Sequence, residues 1–179
     1  MRALLLTLAL ATPAQASDWF AHEFGELRAY YGDWLAVCED LGDGPCRMVQ
    51  SVIPEGGDTF FGTSRLAVHP DRDGGFRIEV FDRDMEADRV DRVIFDFGLV
   101  LVQVYEDRFA TGSVDGVNVA ETLSVLDPLD AGYLARLIAA EQGLTVAYFD
   151  ATEFLGSATF SLRGSAAALL AVETKLAEQ

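Results

Sequence analysis

Hydrophobic and polar positions alternate with a period of two along most of the chain, the pattern of strands that cover one face. In residues 31–50, YGDWLAVCEDLGDGPCRMVQ, Trp34, Ala36 and Cys38 fall on one face and Leu35 and Val37 on the other. Asp40, Gly42, Asp43, Gly44 and Pro45 supply turn chemistry. Beyond them Met48 and Val52 share the face of Cys46, with Val49 and Ile53 opposite. The pattern predicts a β-hairpin that sets the chain's two cysteines side by side. Phe60 to His69 reads as a strand ending at Pro70, paired with Phe76 to Asp82 across Asp71, Asp73, Gly74 and Gly75. His69, in phase with Arg65, points outward. Val93 to Tyr105 is the most apolar stretch of the mature chain and is broken by Gly98. It reads as two strands, or one bent at a bulge, buried on both faces at the centre of the core. Val117 to Leu126 follows the hairpin signal Asp115-Gly116. Leu144 to Phe149 and Phe154 to Leu162 return to strand periodicity, with Phe154, Ala158, Phe160 and Leu162 inward.

Helical spacing appears in three places. Phe20, Phe24, Leu27 and Tyr31 form an apolar stripe over 18–30, opposed by Asp18, His22 and Glu26 and weakened by Gly25. Asp130 is positioned to cap a helix carrying Leu134, Leu137, Ile138 and Ala140, which Gly143 ends. Ser165 caps a last helix with Leu169, Val172 and Leu176 inward. The elements together predict a mainly β protein: an antiparallel β-sandwich or open barrel with short flanking helices, including a C-terminal helix.

Arg2 precedes the apolar run Ala3 to Ala11, and Ala14-Gln15-Ala16 has the small-x-small form of a signal-peptidase site. Residues 1–16 therefore read as a signal peptide and 17–179 as a single β-rich globular domain, periplasmic or secreted, with no stable membrane anchor after cleavage. The apolar run is far short of the roughly 20 residues that span a bilayer. Export places the two cysteines in an oxidising compartment, where such a pair is normally a disulfide. A redox-active pair is the competing reading, for which C-x-x-C spacing is missing. Cleavage removes Arg2 and no acid, so the net charge of −16 becomes −17. That balance argues against nucleic acid and anionic lipid as partners.

The usual catalytic patterns are missing. There is no G-x-S-x-G elbow, no H-E-x-x-H helix and no glycine-rich phosphate loop, and Lys175, on the last helix, is the only lysine. Asp71 and Asp73 have the D-x-D start of a calcium loop without its later ligands. Asp82, Asp84, Glu86, Asp88 and Asp91, interleaved with Arg83, Arg89 and Arg92, read as an exposed acidic connection. No catalytic, cofactor-binding or metal-ligating residue is assigned. The reading is a non-enzymatic protein whose partner is another protein or a cell-surface component. A periplasmic carrier of a small apolar ligand is the alternative that Phe95, Phe97, Tyr105, Phe149 and Phe160 suggest, although aromatics of this kind are more often core. A carboxylate-dependent hydrolase is a further alternative, since acids are plentiful.

Three motifs carry a family resemblance: Gly32-Asp33-Trp34 ahead of Cys38; Cys46 followed by Met48-Val49-Gln50; and Ser161-Leu162 with Gly164, leading to Ala168-Leu169. On these the chain resembles the invasion-associated locus B proteins of bacteria and reads as a divergent member. It lacks the second cysteine pair common in that family and has Ser165 where an aromatic residue is usual. The resemblance implies a secreted or periplasmic β-rich protein without known catalysis, in a family whose founding members are associated with host-cell invasion. It also implies a structural disulfide at Cys38 and Cys46, with Trp34 packed beside it.

Overall fold

The computed structural model describes residues 18–53, 63–112 and 121–179. The expected signal peptide and cleavage site, the stretch 60–62 and the expected Asp115-Gly116 turn lie outside them. In chain order the elements are β1 (Phe20–Ala21), β2 (Leu27–Tyr31), β3 (Trp34–Cys38), β4 (Cys46–Val52), β5 (Ser64–Pro70), β6 (Phe76–Asp82), β7 (Arg92–Asp96), β8 (Leu101–Tyr105), β9 (Phe109–Thr111), β10 (Thr122–Val125), α1 (Pro128–Ala140), β11 (Gly143–Asp150), β12 (Glu153–Ser161) and α2 (Ser165–Ala177). The strands form two sheets, an eight-stranded one ordered β1-β2-β3-β4-β5-β6-β10-β9 and a four-stranded one ordered β12-β11-β7-β8. Every pairing is antiparallel. The fold is thus mainly β, in two open sheets with two helices, and does not close as a barrel.

Alternation places one face of each sheet in a shared core. Trp34, Met48, Leu66, Ile78 and Leu123 enter it from the large sheet, Phe95, Val104, Tyr148 and Phe160 from the small one, and Leu134, Ile138, Leu169 and Val172 from the helices. Cys38 and Cys46 are cross-strand partners and are joined by a disulfide on this inner face. The side-chain amide of Gln179 donates to the carbonyls of Gly42 (2.7 Å) and Gly44 (2.8 Å), tying the end of the chain to the hairpin turn.

Several expectations are corrected. The predicted helix over 18–30 is a hairpin: Leu27, Ala29 and Tyr31 alternate inward as β2, and Gly25 turns the chain at φ +78°. The apolar stretch 93–105 is indeed two strands, but only one face of each is covered. Leu101 and Tyr105 on the edge strand β8 are exposed while Val102 and Val104 are buried. The acidic connection is anchored rather than simply exposed, with Met85, Ala87 and Val90 buried in it. Arg89 there joins Glu86 (2.8 Å), Asp150 (3.2 Å) and Glu153 (2.8 Å).

Helix α1 is capped by Asp127, whose Oδ1 accepts from the amides of Leu129 (3.1 Å) and Asp130 (2.9 Å), because Pro128 starts the helix three residues before the expected cap would allow. It ends at Ala140, and Gly143 instead opens β11. Phe154 faces outward, because a register irregularity between Tyr148 and Phe149 brings it beside Phe149 on the outer face. Gly164, not Ser165, caps α2. Ser165 is buried, its hydroxyl 2.6 Å from the Ile138 carbonyl and 2.7 Å from that of Leu162, so it links α1 to the start of α2.

Candidate functional site

Two of the sequence motifs, about 130 residues apart, meet in one joint. The β2–β3 turn carries Gly32 and Asp33, and the segment from β12 to α2 carries Ser161, Leu162, Arg163 and Gly164. The Asp33 amide donates to the Arg163 carbonyl (3.0 Å), and the Trp34 indole Nε1 donates to the Ser161 carbonyl (3.1 Å). Asp33 Oδ2 accepts from the Ser161 hydroxyl (2.7 Å) and Arg163 Nε (3.1 Å), while Oδ1 pairs with the same guanidinium. These hydrogen bonds and the Arg163 charge hold the Asp33 carboxyl below its ordinary range. Backbone approach is so close that a Cβ on Gly164 would lie 2.1 Å from the Tyr31 carbonyl oxygen, and one on Gly32 2.5 Å from that of Arg163.

Gln50 joins the joint by donating from Nε2 to the Asp33 carbonyl (3.3 Å), whereas Met48 lies in the core and Val49 on the opposite face. Leu162 is buried core. Trp34 shares the inner face with Cys38 but stands four residues along the strand, about 13 Å away by strand rise. It therefore belongs to the joint rather than to the disulfide. Every contact here is between structural groups of the protein, and the arrangement fastens the large sheet to the start of α2.

The outer face of the large sheet is different. It forms an open groove of about 410 Å³ floored by Leu35, Val37, Val49 and Ala67 and edged with charge. Register places Arg28, Val37 and Arg47 in one cross-strand row, and the pair His69–Arg77 continues it one step on from the Met48–Val68 pair. A second row holds Arg65, Phe81 and Thr122. The arginines are held by acids: Arg28 Nε to Glu26 at 2.7 Å, Arg47 to Glu39 at 2.8 Å and Glu26 at 3.4 Å, Arg65 to Glu79 at 3.2 Å. Arg77 approaches His69 Nδ1 at 3.3 Å, and Arg65 lies over the Phe81 ring. The Arg47–Glu39 pair is the most exposed of them, and a pair of that kind contributes little to stability, so it can exchange partners cheaply.

A second concavity, of about 340 Å³, contains Ser64, Asp82, Asp84 and Tyr148. Burial pushes the Asp82 carboxyl above the ordinary range, the neighbouring Asp84 charge adds to the rise, and the Asp84 amide (3.2 Å) opposes it. Burial likewise raises the Tyr148 hydroxyl. A carboxyl whose folded pKa is raised binds its proton more tightly when folded, so stability falls as pH rises from the ordinary aspartate range through the raised value. Asp82→Asn keeps an acceptor for the Asp84 amide and removes the charge. Thermal melts across pH should show it more stable than the parent at neutral pH and equal to it in acid, and a lower melting temperature at neutral pH would contradict this reading.

Of the aromatics considered for a ligand, Phe95, Phe97 and Phe160 are core and Tyr105 and Phe149 lie on the outer face of the small sheet. Among the described residues no three His, Cys, Asp or Glu side chains converge as a metal site requires. The groove has no local motif, because it gathers residues from several strands, and the joint's residues lie in two motifs whose meeting neither segment encodes.

The fold is shared with invasion associated protein B from Bartonella henselae. The crystal structure of that protein matches with a TM-score of 0.59, covering 86% of this chain and 99% of that one at 16% sequence identity. No family model matches the chain, and no curated protein does.

Proposed function

We propose that this protein is exported to the periplasm or beyond and acts without catalysis, holding another macromolecule in the groove on the outer face of its large sheet. The observation that carries the reading is the groove itself. It has an apolar floor and is lined by arginine and glutamate pairs that a partner can displace. A covalently pinned hairpin and the joint at Gly164 hold the strands beneath it in register. The protein that shares this fold is named for an association with invasion, and that name fits a role exercised on another macromolecule.

A photoreactive residue placed at Val49, in the groove, and another at Leu170, exposed on α2, test this in the native envelope. Illumination should give a discrete adduct from Val49 and none from Leu170. Equal labelling from both, or none from either, would contradict the reading.

A further inference from the structure

We propose that the groove recognises a short, extended acidic peptide segment, with a carboxylate at every third residue, lying across the strands. The inference rests on the reading of the groove as the binding surface. Four of the chain's 13 basic residues, Arg28, Arg47, Arg65 and Arg77, line this one depression beside three glutamates, Glu26, Glu39 and Glu79, in a protein of net charge −16. Arg28, Arg47 and Arg77 stand on alternate strands of a single row, so neighbouring guanidinium stems are about 9.5 Å apart by strand spacing. An extended polyproline-type segment presents one side chain per turn to a given face, at intervals of about 9.3 Å. Its acids therefore fall in step with the arginines and replace Glu26 and Glu39 there. The backbone of the segment passes over the apolar floor of Leu35, Val37, Val49 and Ala67.

A long polyanion is a poorer fit, since the protein outside the groove carries a net negative charge whose repulsion grows with length.

Calorimetric titration of the purified protein with a short Glu-Pro-Pro repeat peptide, its Gln-Pro-Pro counterpart and a sulfated oligosaccharide tests the assignment. The glutamate peptide should bind, the glutamine peptide about tenfold or more weaker, and Arg47→Gln should weaken the glutamate peptide by a similar factor with no loss of melting temperature. Equal affinity for the two peptides, no effect of Arg47→Gln, or preference for the sulfated oligosaccharide would overturn the inference. An envelope adduct at Val49 without glutamate-peptide binding overturns this inference alone and leaves the groove as the interaction surface.

Discussion

Gly164→Ala is expected to cost about 2–5 kcal/mol, the sum of forcing an alanine into the left-handed region and pushing its methyl into rigid backbone. The glycine sits at φ +92°, and the added carbon would lie 2.1 Å from the Tyr31 carbonyl oxygen and 3.0 Å from the Gly32 nitrogen. Neither neighbour is the free end of a side chain, so the β2–β3 turn must move away from α2. In a domain of this size the loss corresponds to a fall in melting temperature of roughly 10 °C. Gly74 is the internal control: its φ is +82° but nothing lies within 4 Å of an added Cβ. Gly74→Ala should therefore cost only the conformational part, about 1–2 kcal/mol. If the two variants melt together, close packing at the joint is not what Gly164 provides.

Replacing Cys38 and Cys46 together by alanine is expected to cost about 2.5 kcal/mol from the loop-closure entropy of the eight-residue separation. The serine pair should cost more, because both positions are almost fully buried and a hydroxyl there needs a partner. A melting temperature lowered by roughly 5–8 °C for the alanine pair is the expected result. An unchanged value would show that strand pairing and the Gln179 contacts hold the hairpin without the covalent link.

What the sequence disclosed follows from how locally each feature is encoded. The hairpin from Trp34 to Val52 was legible because alternation, turn residues and the cysteine spacing agree within 20 residues. The segment 18–30 misled because Phe20, Phe24, Leu27 and Tyr31 satisfy a helical spacing while Leu27, Ala29 and Tyr31 satisfy a strand one; Gly25 and pairing with β3 decide for the strand. The stretch 93–105 is apolar on both faces of the strands, yet the outer face of this sheet is uncovered, which composition alone does not reveal. Asp127 rather than Asp130 caps α1 because the proline between them fixes where helical φ begins.

The groove was the hardest to foresee. Arg28, Arg47, Arg65 and Arg77 are isolated outward residues of four different strands, and only sheet register assembles them. The joint had a partial signal in its motifs: the glycines and Trp34 were singled out, but their meeting across the molecule was not encoded in either segment. Asp33 illustrates the consequence. Its pairing with Arg163 and Ser161 lowers its pKa, so that contribution to stability is present above the ordinary aspartate range and fades as pH falls through the lowered value.

Residue-resolved hydrogen exchange on the parent protein and on Gly164→Ala bears most directly on whether two distant motifs form one fastening. Protection of the Asp33 amide and of the Trp34 indole N–H, donors to the Arg163 and Ser161 carbonyls, should be strong in the parent and collapse in the variant. The amides that pair β11 with β7 should stay protected in both. Retention of Asp33 and Trp34 protection in the variant, or its absence from the parent, would contradict the joint.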